Sequence, residues 1–457
     1  MSNIIELSYK DKIIYYDVDS AQNSYDISYL ENNIFEINKP SRITYNNYPR
    51  ITFCIEVTNF CNLNCKYCFN QNKNNKKMTS EQLQKILDKL FSLYPNKEKY
   101  FIDLSGDGEP LTNIDGILFV EEYALKKQEE IRKEINVSFV TNGTLLTKEN
   151  VKKLENKGTI IYGISIDGSK KVHDSNRVFI NNKGTFNSII KNLKHIKRKE
   201  FLGCAVTISN NVFSLKKELI KLRKYFNTIS VKPVRSLFLT KALVEKWNSE
   251  YEKLADYLLL SIKNNDYSLL FSLLNGDDYF GKFIIKAFMN GISLNRCDAG
   301  GGRIFVDINN NVFPCVALSQ YKLQYDNIES LNPSFFQELL DNGLNKNECK
   351  NCDFINICGG ECFVEQQIHK GLNKNMCLMK KKLITLSLYF KEESKNIGNS
   401  YQIIKNFIAE KRRLLGVDKE YKRIVQQNPT KSFEQCKELY YKSINRDRKS
   451  IKNKLNK

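Results

Sequence analysis

The chain has 457 residues, 41% of them hydrophobic and 27% charged, with thirteen cysteines and a formal charge of +20. That length can bury the cores of two or three domains, the composition is that of a soluble globular protein, and no apolar run approaches the roughly eighteen residues a membrane span needs. The opening residues MSNIIELSYKDK lack a basic segment followed by an apolar core. No secretory signal is therefore read and a cytoplasmic location is expected, where clustered cysteines serve as metal ligands or catalytic groups rather than disulfides.

Residues 1–50 carry short alternating runs such as KIIYYDVD and read as a small β-rich lead-in. From Ile51, apolar β-rich runs alternate with segments of helical period: ITFCIEV, YFIDLSG, VSFVTNG, IIYGISID, FLGCAVTIS and TISVKPV. Between them lie helical stretches. In TSEQLQKILDKLFSLY, Thr79 and Gln82 give a capping-box start, and in TFNSIIKNLKHIKRK the residues Phe186, Ile189, Ile190, Leu193 and Ile196 share a face. Six β/α units in a row predict an α/β fold, a partial (β/α)6 barrel over residues 51–235 with its chemistry on loops at the strand C-termini. Residues 236–296 read as a helical bridge, 297–377 as a loop-rich cysteine region and 378–457 as a basic helical tail.

The tail qualifies the net charge. Residues 378–457 hold 21 Lys and Arg against 8 Asp and Glu, about two thirds of the excess. A basic chain attracts nucleic acid, but runs such as KKK at 380–382 read first as solvated helix faces, with an acidic partner next. Nucleic-acid binding is not the expected role.

Cys61, Cys65 and Cys68, in EVTNFCNLNCKYCFN, follow the first predicted strand at C-x3-C-x2-C spacing. A structural zinc ion takes four ligands, so three thiols with no nearby fourth are wrong for it. A four-iron cluster held by three thiolates leaves one iron open to a small molecule.

This spacing, with Tyr67 before the last cysteine, resembles the signature of radical S-adenosylmethionine (SAM) enzymes. The resemblance implies a [4Fe-4S] cluster that binds SAM and cleaves it to a 5′-deoxyadenosyl radical, with the protein positioning and shielding the chemistry. Further fragments follow in the family's order. LSGDGEPL ends the second strand, and Gly106, Gly108, Glu109 and Pro110 resemble the glycine-glutamate motif whose backbone meets the SAM amine; Asp107 stands where a glycine is more usual. Asn142 and Gly143 end the third strand. Ser165, Asp167 and Arg177, in ISIDGSKKVHDSNR, are candidates for the SAM ribose or carboxylate or for substrate, and His173 for shaping the site.

The later cysteines resemble the SPASM extension of radical SAM enzymes that modify peptides and proteins, which binds two auxiliary four-iron clusters and would bring the total to three. Cys349, Cys352, Cys358 and Cys377 would ligate an outer cluster. Cys297, Cys315 and Cys362 would hold an inner one, with an unidentified fourth ligand. Asn310 replaces a usual turn glycine before NVFPC, a position where Asn tolerates positive φ. A single four-cysteine zinc site with three packing thiols is the alternative. Cys54 and Cys204 lie inside strand patterns and read as buried apolar thiols, and Cys436 as incidental. His195 and His369 read as surface or packing residues.

The resemblance implies a radical SAM oxidoreductase acting on a ribosomally made peptide or a protein, most readily by oxidative thioether or carbon–carbon crosslinking, supplied by an external one-electron reductant such as flavodoxin or ferredoxin. Sulfatase-type formylglycine formation is a rival, weakened by Val316 where that group carries an Asp base. Peptide epimerisation and a metal-dependent RNA-binding protein are the others.

Overall fold

The computed structural model describes residues 3–33, 35, 48–68, 70, 74–156, 160–197, 202–210, 214–234, 239–293, 297–319, 326–334, 336–337, 347–415 and scattered positions between 424 and 442. Three short strands, β1 (Ile4–Tyr9), β2 (Lys12–Asp17) and β3 (Gln22–Ser24), form an antiparallel sheet in that order. Then come β4 (Arg50–Ile55), β5 (Lys99–Asp103), β6 (Glu134–Thr141), β7 (Ile161–Ser165), β8 (Gly203–Ile208) and β9 (Thr228–Pro233). These six pair in chain order, every neighbour parallel. They match the six strands expected from the sequence to within a few residues.

The helix Ser80–Leu93 starts with both arms of the predicted capping box, between Thr79 and Gln82. The helix at Phe186–Leu193 is shorter than its apolar pattern. It passes into turns in which the Ile196 amide bonds Leu193 O at 3.3 Å, so Ile196 is still buried.

Parallel sheets are usually covered on both faces and read as continuous apolar runs. Here β8 and β9 alternate. Val206, Ile208, Ile229 and Val231 are buried against the helices, while Ala205, Thr207 and Ser230 on the other face are half-buried. In β6, Ile135, Val137 and Phe139 are buried but Val140 is 39% exposed. The sheet therefore keeps one face lined largely by small and polar side chains and less covered than the other.

Three further strands, β10 (Arg303–Val306), β11 (Asn311–Phe313) and β12 (Asp326–Asn327), arise within the cysteine-rich region and continue the same sheet beyond β4. The strand β10 pairs in parallel with β4, setting Phe305 beside Cys54, and turns back antiparallel into β11. Asn310 makes that turn at φ +68°, as its replacement of glycine requires.

The small β1–β3 sheet and the helices Lys241–Lys263 and Lys374–Lys395 form a second layer. The two helices pack together. Tyr9 meets Tyr389 edge-on at 4.8 Å between ring centres, and Asn23 bonds Glu392 at 2.9 Å and Lys391 at 3.0 Å. Among the described residues, no helix is long and apolar enough to cross a membrane.

Candidate functional site

The loop after β4 carries Cys61, Cys65 and Cys68, all half-buried. A turn bonds the Cys68 amide to Cys65 O at 3.0 Å, and the amides of Asn64 and Lys66 bond Val178 O and Asn176 O at 2.8 and 2.9 Å. The loop is thus laced to the segment after β7. On its other side it lies against the loop after β5, where the Glu109 amide donates to Phe60 O at 2.8 Å and Asn70 Nδ2 donates to Asp107 O at 2.7 Å. Gly108 permits this approach, since a Cβ there would stand 2.3 Å from Thr58 O and 2.7 Å from Phe60 O. Gly106 is similarly pressed, its Cβ position lying 2.9 Å from Glu56 Cγ.

The side chain of Glu109 turns inward. It is 2% exposed, accepting from Thr141 Oγ1 at 2.6 Å, the Asn142 amide at 2.7 Å and the Leu111 amide at 3.2 Å. Burial raises its carboxyl to about 7, against the pull of those donors and of Arg177. The carboxyl ties the end of β5 to the end of β6, and Pro110 opens the short 3-10 turn that follows. Asn142 links onward, its Nδ2 donating to Asn62 Oδ1 at 2.8 Å inside the cysteine loop.

Opposite, Asp167 is fully engaged. It accepts from Tyr67 Oη, from Arg177 Nε at 3.1 Å and from the Thr207 amide at 3.0 Å, and the Arg177 guanidinium lies 5.3 Å from the Tyr67 ring centre. Burial opposes the charge of Arg177, but Asp167, then Tyr67 and Cys65, hold it above the ordinary arginine range. Burial likewise pushes the Tyr67 hydroxyl up. His173 is buried behind this group. Its Nδ1 accepts from the Asp167 amide at 3.3 Å and its Nε2 meets Thr185 Oγ1 at 2.8 Å, while Thr185 donates to Arg177 O at 2.9 Å. Burial lowers His173 to about 4, so the ring is neutral at pH 7 and holds the backbone on either side of the Asp167 and Arg177 pair. Ser165 lies at the end of β7 and is half-buried, on the less covered face of the sheet.

The later thiols fall into two groups. Cys349, Cys352, Cys358 and Cys377 line one pocket together with Lys380. The turn that frees Cys358 runs through Gly359 and Gly360, at φ +79° and +90°, values that a side chain rarely adopts. Cys297 lies within electrostatic reach of both Cys362 and Cys315. Cys315 and Cys362 pack on a small apolar cluster of Cys54, Phe305, Phe313, Ala317, Leu318 and Val364, separate from the main core. Between the groups sits a buried ion pair, with Lys380 Nζ 2.6 Å from Glu361 Oε1, which also accepts from the Cys362 amide at 2.8 Å; Cys377 Sγ is 3.6 Å from Glu361 Oε2. Lys380 corrects the reading of KKK as a solvated face: it is 2% exposed, because Glu361 compensates its charge.

Among the described residues, no three of the Cys, His, Asp and Glu side chains converge as ligands of one metal ion. The four thiols of the outer pocket surround a space instead, and all-thiolate donors in such an arrangement fit an iron–sulfur cluster. Sequence reasoning missed Glu361, Arg303 and Thr207, whose roles depend on pairing between distant segments; Cys204 is a buried strand residue as expected, and Cys436 lies outside the described residues.

The Radical SAM superfamily matches residues 55–226. A cysteine-type anaerobic sulfatase-maturating enzyme of Clostridium novyi is 26% identical, the match covering 69% of this chain and 89% of that protein. The radical SAM cyclopropyl synthase TigE of Paramaledivibacter caminithermalis is also 26% identical, over 75% of this chain and 74% of its own. In fold, native anSMEcpe with bound AdoMet and Cp18Cys peptide superposes with a TM-score of 0.59 at 18% identity, covering 78% of this chain and 99% of that one. The cysteine loop, the motifs that pack around it in order and the family match together identify residues 55–226 as a radical SAM domain.

Proposed function

We propose that this enzyme oxidatively modifies a ribosomally made peptide or a protein, most readily by forming a thioether or carbon–carbon crosslink, with three [4Fe-4S] clusters and SAM. The observation that carries this reading is the assembly of Cys349, Cys352, Cys358 and Cys377 around one pocket, in a chain whose loop after β4 carries Cys61, Cys65 and Cys68. When loaded, the first cluster would supply electrons that cleave SAM to a 5′-deoxyadenosyl radical able to remove a substrate hydrogen atom. The chain's own residues position and shield: Asp167 holds Arg177 and Tyr67 beside Cys65, Glu109 and Gly108 fix the loop that would meet the SAM amine, and the less covered face of β5–β9 would receive the peptide. The cysteines from Cys297 to Cys377 would hold two further clusters, one of which would receive the second electron of a two-electron oxidation. An external one-electron reductant, such as flavodoxin or ferredoxin, would drive the cycle.

Formylglycine formation is the second reading. Val316 stands where an acid would be expected, yet Asp107 Oδ2 accepts from Ser319 Oγ at 3.1 Å, so a carboxylate does reach the turn that begins at Val316. Anaerobic incubation of the reconstituted enzyme with SAM, reductant and any short peptide encoded beside its gene tests both by mass spectrometry. Loss of two hydrogens per event, abolished by Cys61→Ala, supports crosslinking. A cysteine converted to an aldehyde supports the second reading, and an unmodified peptide alongside 5′-deoxyadenosine overturns both for that peptide.

A further inference from the structure

We propose that Cys54, on the strand that leads into the Cys61 loop, is the fourth thiolate of the inner auxiliary cluster, beside Cys297, Cys315 and Cys362. The inference rests on the reading that this region binds auxiliary clusters, and it supplies the ligand that the spacing of the later cysteines leaves unassigned.

The register of the sheet brings these sulfurs together. Phe305 on β10 pairs with Cys54 on β4, and Phe313 on β11 pairs with Phe305, so the three lie in a row across the sheet. Cys315 follows Phe313 by two residues. Cys54, 3% exposed, belongs with Phe305 and Phe313 to the small apolar cluster on which Cys315 and Cys362 pack. Cys315 lies within electrostatic reach of Cys54, and Cys315 and Cys362 both lie within reach of Cys297. Cys54, Cys315 and Cys362 therefore share one apolar wall, with Cys297 exposed at its edge and within electrostatic reach of the last two, although Cys54 is more than 240 residues from the nearest of the others in sequence.

The surroundings of Cys54 also differ from those of a packing thiol. Arg303 Nη1 lies 3.3 Å from Cys54 Sγ, and the guanidinium is held by Asp298 at 3.2 Å and Asp103 at 3.6 Å. A guanidinium only donates, and a neutral thiol is a weak acceptor; a sulfur that carries negative charge, as an iron-bound thiolate does, is a good one. Cys204 provides the contrast within the same sheet. It is equally buried on β8, packs in the main apolar core and, among the described residues, has no cation against it. With Cys54 in place, every iron of the inner cluster has a protein ligand, and none is left open to a substrate sulfur.

The test uses the full chain bearing Cys61→Ala, Cys65→Ala and Cys68→Ala, reconstituted anaerobically, so that only later clusters are read. It should take up about eight irons, two four-iron clusters, and the EPR spectrum of the reduced protein should not respond to added 2-mercaptoethanol. Adding Cys54→Ala should either remove about half of the iron or make the spectrum responsive to the thiol. Cys54→Ser, nearly isosteric, should keep the fold and shift the spectrum, and Cys204→Ala should change neither iron nor spectrum. A parent spectrum that already responds to the thiol, or Cys54 variants with unchanged iron and spectrum, would overturn the assignment while leaving the auxiliary clusters standing. A parent that binds no iron would remove the clusters themselves, and the role of Cys54 with them.

Discussion

Gly108→Ala perturbs the contact on which the cysteine loop rests. The added Cβ would stand 2.3 Å from Thr58 O, 2.7 Å from Phe60 O and 2.9 Å from Asn59 C, all backbone atoms that cannot swing aside. The two loops must separate by roughly 1 Å to reach ordinary contact. Overpacking of this kind costs about 1–3 kcal/mol, here toward the upper end. Separation also breaks the bond from the Glu109 amide to Phe60 O, worth about 1 kcal/mol. The expected loss is therefore about 3–4 kcal/mol, with the greatest displacement where Cys61 and SAM would meet. Urea denaturation of the anaerobically purified protein, together with iron content and SAM binding by equilibrium dialysis, reads it. Gly163→Ala is the control, because its Cβ would find only Val140 Cγ2 at 3.7 Å and Gly203 O at 3.9 Å. If Gly108→Ala kept wild-type stability, iron and SAM affinity, the account of how this loop is held would be wrong.

Two further outcomes follow from the group opposite. Asp167→Asn leaves the buried Arg177 without its counter-charge and should cost about 3–5 kcal/mol in urea together with much of the SAM affinity; a loss below about 1 kcal/mol would contradict the pairing. His173 titrates near 4 in the folded chain, below its ordinary 6.5. Its contribution is thus complete above pH 6.5 and is lost as pH falls toward 4, about 3 kcal/mol in all. His173→Gln should flatten the stability profile in that window, and an unchanged slope would refute the assignment.

The parallel core was legible because each strand announces itself locally, by a β-branched or aromatic run that ends in a turn residue, and because Thr79 and Gln82 mark a helix start within four residues. The site's thiols were legible from spacing alone. What escaped were features set by pairing across the sequence. The strands β10, β11 and β12 have four, three and two residues, too few for a periodic signal, and nothing in RIFV says that it pairs with β4. Glu109 was read for its motif's backbone contact to SAM, and nothing local announced that its side chain braces the site, with Thr141 Oγ1 donating to one carboxylate oxygen and the Asn142 amide to the other. Lys380 was misjudged because a triplet of lysines carries no mark of the Glu361 that neutralises one of them.

The strand β4 lies between β5 and β10, so the main chain of RITFCI has partners on both sides only when the later hairpin is present. A fragment ending near residue 235 would bare one side of that ladder along Ile51, Phe53 and Ile55, an apolar template open to any other extended chain. Trimmed to its six-stranded core, the protein would be prone to aggregate, and the cysteine-rich segment would then count as a chaperone-like cover for the first strand as much as a carrier of ligands.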